Sequence, residues 1–121
     1  MDRASKGPFL RARPTTVDAS LRPCVTLPTS TSYPSGRALQ SWVGGALLAE
    51  MLPFRREEIL ERAERAAWGR VIGGVHYPSD LVGGKRLAWG YLAAAWKNPE
   101  FQAELDVARA ERMRVAVEKV R

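Results

Sequence analysis

Histidine and cysteine are almost absent from this chain of 121 residues, which contains one of each, His76 and Cys24. A single cysteine excludes an intrachain disulfide and leaves the redox compartment open. The longest apolar stretches, near 42–49 and 87–96, are shorter than the ~18 residues that a membrane-spanning helix needs. The sequence begins Met-Asp-Arg-Ala-Ser-Lys, without the apolar region of a secretory signal. We therefore expect no membrane span and no export signal, and the localisation stays unknown.

Acidic residues are outnumbered by basic ones. The chain has 19 Lys and Arg against 13 Asp and Glu, a net charge of +6 and a pI of about 10.1. This balance permits an anionic partner. The arginines are spread along the chain and no surface that alternates aromatic and basic residues is visible, so no nucleic-acid partner is expected.

Strand-like alternation is also missing, and the length fits a single domain, 1–121. Residues 1–34 are rich in Pro, Ser and Thr and predict an extended segment. Residues 35–121 predict a helical core with four helices, at about 36–52, 54–72, 79–97 and from 99 to the C-terminus. The fold class is therefore all-α, a small helical bundle with an irregular N-terminal segment.

Two helices carry further expectations. The third is apolar on nearly every face from Leu87 to Trp96, which predicts that it is the buried central helix. The Gly44-Gly45 pair in the first lowers helix propensity and indicates close approach by another element.

The residues that point to chemistry are Arg70, His76 and Asp80, spaced R-x5-H-x3-D. A histidine held by a carboxylate can attack a phosphorus atom, and an arginine can bind the phosphate. Each residue also has a simpler interpretation. Arg70 near a helix C-terminus and Asp80 near a helix N-terminus both suit the helix dipole, and a lone histidine is usually structural.

Two upstream segments suit the same anion. Lys6 and Arg13-Pro14 form K-x6-R-P, although solvated charges are the ordinary interpretation of such a polar segment. Ser35-Gly36 opens the first helix, where free N–H groups bind phosphate. The ordinary role of Ser35 is that of a helix cap.

Together the three segments resemble the signature of the type 2 phosphatidic acid phosphatase superfamily, K-x6-R-P, P-S-G-H and S-R-x5-H-x3-D. This superfamily includes vanadium haloperoxidases and the bacterial class A non-specific acid phosphatases. The stretches 22–24, 32–36 and 74–80 are especially similar to the class A enzymes, and the resemblance runs from Lys6 to about Glu111.

The resemblance implies an acid phosphatase-like hydrolase of phosphomonoesters that works through a phosphohistidine, without a metal or other cofactor. His76 would be the nucleophile and Asp80 its orienting partner. Phosphate, or vanadate as its analogue, would be bound by five residues: Lys6, Arg13, Ser35, Gly36 and Arg70. The alternative is a catalytically inactive domain that only binds phosphate.

The chain also departs from the signature. Arg37 stands at the position of the histidine that protonates the leaving group, and arginine cannot donate a proton at any workable pH. Gly69 replaces a serine that usually contacts phosphate. Gly73 stands where relatives often carry a cysteine, so the resemblance implies that Cys24 has lost a disulfide partner.

Relatives in this family are periplasmic or secreted and have several helices before the first motif. The resemblance therefore implies a truncated core. We expect uncovered apolar faces, including the helix of Trp89 and Trp96, which a homo-oligomer would cover.

Overall fold

The computed structural model describes residues 6–119, and every regular element within this range is helical. Residues 1–5 and 120–121 of the predicted domain lie outside the described part. The helices are α1 (Pro14–Val17), α2 (Gly36–Met51), α3 (Arg56–Ile72), α4 (Pro78–Ala95) and α5 (Pro99–Glu118), with a 3₁₀ turn at Pro53–Arg55 between α2 and α3. The all-α prediction is confirmed, and within the described range the four long helices lie close to their predicted bounds.

Helix α2 begins where the sequence indicates a cap. The hydroxyl of Ser35 accepts a hydrogen bond from the N–H of Ala38 at 3.3 Å, which satisfies one of the free donors of the first turn. The helix ends at Met51, just before Pro53, whose ring cannot continue it.

A short loop joins α3 to α4 and carries the single histidine. Gly74 has a φ of +77°, a backbone conformation that strongly favours glycine. Pro78 then opens α4, and the side chain of Asp80 accepts a hydrogen bond from the N–H of Tyr77 at 2.9 Å. The turn between the two helices is therefore fixed at both ends, which fixes the position of His76.

The central helix is α2, and the prediction that the third long helix occupies the centre is wrong. Helix α2 packs against both α3 and α4, whereas α3 and α4 have few contacts with each other. Trp42 of α2 packs with Ala63 of α3 and Ala88 of α4 in the core. Helix α4 buries Leu81, Ala88 and Leu92 but leaves Trp89 and Tyr91 exposed.

Small residues set how closely these helices approach. A Cβ added at Gly45 would lie 2.7 Å from the Cβ of Ala63, so α2 and α3 meet closely there, as the Gly44-Gly45 pair predicted. Gly44 itself faces open space. A Cβ added at Gly84 would lie 2.5 Å from the carbonyl oxygen of Ser35. Glycine at position 84 thus lets α4 approach the start of α2.

The segment before α2 is largely irregular, as predicted, apart from the four-residue helix α1. Its two halves are joined by a hydrogen bond from the N–H of Ser32 to the carbonyl of Arg11 at 2.9 Å. A Cβ at Gly83 would clash with the Tyr33 ring, so the segment also lies directly against α4. None of the helices described between residues 6 and 119 is both long and apolar enough to cross a membrane.

Candidate active site

The imidazole of His76 is oriented by Asp80, four residues later. His76 is only 4% exposed, and its Nδ1 lies 3.1 Å from Oδ2 of Asp80. A carboxylate can only accept, so Nδ1 carries the proton and Nε2 keeps its lone pair. Nε2 lies 3.2 Å from Nη1 of Arg13, a group that can only donate, which requires the same tautomer. The unprotonated ring nitrogen is therefore Nε2.

Asp80 is fully buried and its carboxylate is well supplied with donors. Oδ2 accepts from the hydroxyl of Ser32 at 2.5 Å and from the N–H of Tyr77, and Oδ1 accepts from Nη1 of Arg11 at 2.8 Å. Burial by itself would raise the pKa of Asp80. The hydrogen bonds from His76, Ser32, Tyr77 and Arg11 outweigh burial and hold this pKa far below its usual value.

The sign of this shift sets its effect on stability. Because the pKa of Asp80 is lower in the folded state, its ionised carboxylate contributes fully to the free energy of unfolding above the ordinary aspartate pKa of about 3.9. This contribution is lost only as the pH falls from about 3.9 towards the lowered pKa of the folded state. Asp80 therefore stays ionised, and keeps His76 oriented, through the mildly acidic range.

Arg13 is a buried cation fixed by backbone carbonyls. Its Nε donates to the carbonyl of Ser30 at 2.8 Å, Nη1 donates to that of Val75 at 2.7 Å, and Nη2 donates to that of Thr31 at 3.1 Å. Lys6 also donates to the carbonyl of Thr31. The guanidinium of Arg13 is thereby held at the nitrogen of His76 that bears the lone pair.

Four cations and His76 share the lining of one open cavity of about 770 Å³. The lining comprises Lys6, Arg13, Cys24, Val25, Thr26, Pro28, Ser30, Gly36, Arg37, Gln40, Arg70 and His76. No carboxylate is among these residues. Such a concentration of like charge is unfavourable without an anion, so the cavity is suited to bind one.

The positive charges of the cavity disfavour each other. Burial and then the charge of Arg13 lower the pKa of Lys6, while burial and then Arg70 lower that of Arg13. For Arg70 the causes are burial and then Arg37. The Nε of Arg70 is buried and has no hydrogen-bond partner within residues 6–119. A bound oxyanion would reduce the repulsion between these cations and would accept a hydrogen bond from Nε of Arg70.

Comparison with known proteins identifies the family of this chain. The family model described as the PAP2 superfamily matches residues 3–103. The chain belongs to the PAP2 superfamily.

Curated relatives lie among bacterial acid phosphatases. The chain is 33% identical over 114 residues to a non-specific acid phosphatase of Providencia stuartii, a match that covers 90% of this chain and 46% of the relative. It is 34% identical over 80 residues to an acid phosphatase of Zymomonas mobilis, covering 66% of this chain and 30% of the relative. A non-specific acid phosphatase of Salmonella typhimurium is 33% identical over 86 residues, covering 71% and 34%. The chain thus spans less than half the length of these relatives.

The structure brings most of the predicted PAP2 site residues together. Lys6, Arg13, Gly36, Arg70 and His76 line the cavity. Asp80 lies behind His76, the position expected of an orienting residue. Ser35 is outside the lining, and its hydroxyl caps α2. Phosphate binding by Ser35 therefore stays a prediction.

The structure also shows where the residues that differ from the PAP2 signature lie. Arg37 lines the cavity, and its Nη1 donates to Oε1 of Gln40 at 3.2 Å. A Cβ at Gly69 meets nothing within 4 Å, so a serine would fit there. Cys24 is a free, exposed thiol, and its neighbour Val25 packs against the position that a Cβ of Gly73 would occupy.

Sequence reasoning missed two donors to Asp80, Arg11 and Ser32. Besides Asp80, Arg11 donates to the hydroxyl of Ser79 at 2.7 Å, and its guanidinium lies 4.9 Å from the ring centre of Tyr77. The spacing of Arg11 from Arg13 could have indicated its role, because side chains two positions apart in an extended segment point to the same side. Nothing in the sequence around Ser32 indicates its bond to Asp80, which joins residues 48 positions apart.

Proposed function

We propose that this chain is an acid phosphatase-like domain that hydrolyses phosphomonoesters through a phosphohistidine at Nε2 of His76. The observation that carries the proposal is the meeting of the His76–Asp80 pair with four cations at one cavity. The PAP2 family and the relatives named acid phosphatases support the reaction class. Since the chain spans less than half of those relatives, its activity and substrates remain proposals.

In the proposed binding mode, the transferred phosphoryl group lies between Nε2 of His76 and the guanidinium groups of Arg13 and Arg70. These two arginines bind the equatorial oxygens, whose charge grows in the transition state. Lys6 adds a third positive charge. The N–H of Gly36 lies at the N-terminus of α2, where the helix dipole favours an anion.

In the proposed reaction, Nε2 attacks phosphorus and the bond to the leaving oxygen breaks with its electron pair. Asp80 stabilises the positive charge that develops on the ring as the N–P bond forms. Water then attacks phosphorus, the N–P bond breaks, and its electrons return to Nε2. Nη1 of Arg13, which contacts Nε2 of His76, would donate that hydrogen bond to an oxygen of the bound phosphoryl group instead.

Arg37 limits this reaction, because a guanidinium cannot protonate an alkoxide leaving group. The loss of a general acid costs roughly 10²–10⁴-fold in rate. The second candidate function rests on this residue: a domain that binds phosphate without turning it over. It would keep the same cavity and the same cations, so binding alone does not distinguish the two functions.

We expect phosphate or vanadate to raise the melting temperature, because a ligand that binds only the folded state stabilises it. The gain is about 2.7 kcal/mol at a ligand concentration of about 100 times Kd. Arg70→Ala and Arg13→Ala should each remove most of the shift, measured against each variant's own ligand-free melting temperature. Arg65→Ala is the matched control, since Arg65 is an exposed cation of α3 that forms an ion pair with Glu61.

The same wild-type preparation should release nitrophenolate from nitrophenyl phosphate. Phosphate binding together with nitrophenolate release supports the phosphatase. Phosphate binding without nitrophenolate release supports the domain that only binds phosphate. If the shift is absent, or survives both substitutions, the anion does not bind in this cavity and both functions are contradicted.

A further inference from the structure

Arg11 contacts the carboxylate of Asp80 but is not among the residues that line the cavity. Its Nη1 donates to Oδ1 of Asp80 at 2.8 Å and to the hydroxyl of Ser79 at 2.7 Å. The guanidinium also lies 4.9 Å from the ring centre of Tyr77, a contact that favours a cation. The side chain of Arg11 is 42% exposed, whereas that of Asp80 is fully buried. A partly exposed positive charge is therefore held against a buried carboxylate, outside the place where the substrate would bind.

The backbone around Arg11 is fixed as well as its side chain. The carbonyl of Arg11 accepts a hydrogen bond from the N–H of Ser32 at 2.9 Å. Two residues earlier, the ring of Phe9 packs edge-on against the ring of Tyr33, with the ring centres 4.9 Å apart. The segment that carries Arg11 is thus joined to the segment that carries Ser32, the other side chain that bonds to Asp80.

The two oxygens of Asp80 have different partners. Oδ2 lies 3.1 Å from Nδ1 of His76 and accepts from the hydroxyl of Ser32 and the N–H of Tyr77. These two neutral donors hold Oδ2 in place whether or not Arg11 is present. Arg11 bonds to Oδ1 and brings a full positive charge. The negative charge of Asp80 is therefore shared between Arg11 and the imidazole of His76.

We propose that Arg11 is a positioning residue that acts through Asp80 and speeds the release of the phosphoryl group from His76. The inference rests on the proposed function, because it concerns the second half of that reaction. It gives a role to one of the variable positions of the K-x6-R-P pattern.

The charge of the ring changes in opposite directions in the two half-reactions. When Nε2 of His76 attacks phosphorus, the N–P bond forms and positive charge develops on the ring, which Asp80 stabilises. When water attacks phosphorus, the N–P bond breaks, its electron pair returns to Nε2 and the positive charge is lost. A carboxylate without Arg11 would stabilise the phosphorylated ring more strongly and so slow this release. The charge of Arg11 weakens that stabilisation.

Other cations also act on Asp80, but Arg11 differs from them. Lys6 and Arg13 are close enough to interact with this carboxylate. Both line the cavity, so the negative charge of a bound phosphoryl group would offset theirs. Arg11 lies outside the lining, and its charge therefore acts on Asp80 throughout the reaction.

The test measures the two half-reactions separately, in single-turnover experiments with nitrophenyl phosphate. Nitrophenolate release reports the formation of phosphohistidine, and the decay of labelled His76 reports its hydrolysis. Arg11→Met should lengthen the lifetime of the phosphoenzyme roughly 3- to 10-fold, a modest effect because the charge is partly exposed. The rate of nitrophenolate release should not fall. Arg11→Lys should restore the lifetime, and Arg65→Met, which removes an exposed cation of α3, should leave both rates unchanged.

A residue that only supports the local structure would give a different result, because its loss would slow both half-reactions. Slower nitrophenolate release in folded Arg11→Met would therefore overturn the inference, and so would an unchanged or shorter lifetime of the phosphoenzyme. Either result leaves the proposed function standing, since phosphohistidine still forms. If the folded wild type forms no phosphohistidine, the proposed function and the inference both fail. Circular dichroism checks the fold, and if Arg11→Met does not fold, the uncharged and polar Arg11→Gln gives the same comparison.

Discussion

Arg37→His is expected to raise the turnover of alkyl phosphates by about 10²-fold or more, within the range of a general acid. An alkoxide is a poor leaving group and needs a proton in the transition state, which a histidine at position 37 can supply. Nitrophenolate leaves largely without help, so the gain on nitrophenyl phosphate should be smaller. The measurement is kcat on both substrates for both proteins, after circular dichroism shows that each is folded.

Gln40→His is the matched control for this experiment. Gln40 lines the same cavity one helical turn after Arg37, so the variant adds a histidine to the site at a different position. It should not restore alkyl phosphate turnover. If folded Arg37→His gains nothing on either substrate, the missing general acid does not limit the rate, and the domain that only binds phosphate becomes the better account.

Asp80→Asn is expected to lower kcat on the order of 10⁴-fold, as when an amide replaces the carboxylate behind a catalytic histidine. Oδ2 of Asp80 accepts hydrogen bonds from His76, Ser32 and the N–H of Tyr77. Arg11 donates to Oδ1. An asparagine has one oxygen and one NH₂ group. In one orientation the NH₂ group faces the donors now bound to Oδ2, and in the other it faces the guanidinium of Arg11. His76 then loses its tautomer and its orientation.

The same substitution should also lower stability, by about 1–3 kcal/mol for a buried polar group left unpaired. Asp106→Asn is the control, because Asp106 is exposed and forms an ion pair with Arg109 three residues later. A folded Asp80→Asn variant that retains activity within a few-fold of the wild type would show that Asp80 has no orienting role in catalysis.

Much of the fold follows from local signals in the sequence. Ser35 caps α2, Pro53 follows the end of α2, and Gly73-Gly74 follows the end of α3, because caps and helix stops act within one turn. The order of the helices in space does not follow from such signals. Helix α4 is more apolar than a surface helix, yet α2 lies at the centre, since only tertiary packing decides which helix has neighbours on two sides.

The candidate site also combines contacts that follow from local sequence signals with contacts that do not. His76 and Asp80 are four residues apart across a helix start, so their contact could be predicted from spacing and the known geometry of a cap. The meeting of Lys6 and Arg13 with Arg70 depended on the family resemblance, because these residues are far apart in the chain. Ser32 could not have been found, since no local rule relates it to Asp80.

For Arg37, the sequence and the structure give complementary information. The resemblance to the family signature predicts a loss of activity at this position, because an arginine cannot donate a proton to a leaving group. The structure adds that its guanidinium lines the cavity beside Arg70, where it can contact a substrate. The predicted defect on alkyl phosphates is therefore tied to one residue of the cavity.

The most direct test of the account is to trap the phosphoenzyme and locate the phosphoryl group. The wild-type chain is mixed with an excess of nitrophenyl phosphate, denatured under alkaline conditions that preserve phosphohistidine, and analysed by mass spectrometry of its peptides. We expect one acid-labile phosphoryl group on His76, which is the single histidine of the chain. His76→Ala should carry none, whereas Arg65→Ala should be labelled like the wild type. Nitrophenolate release without label on His76, or label that persists in His76→Ala, would contradict the assignment of His76 as the nucleophile.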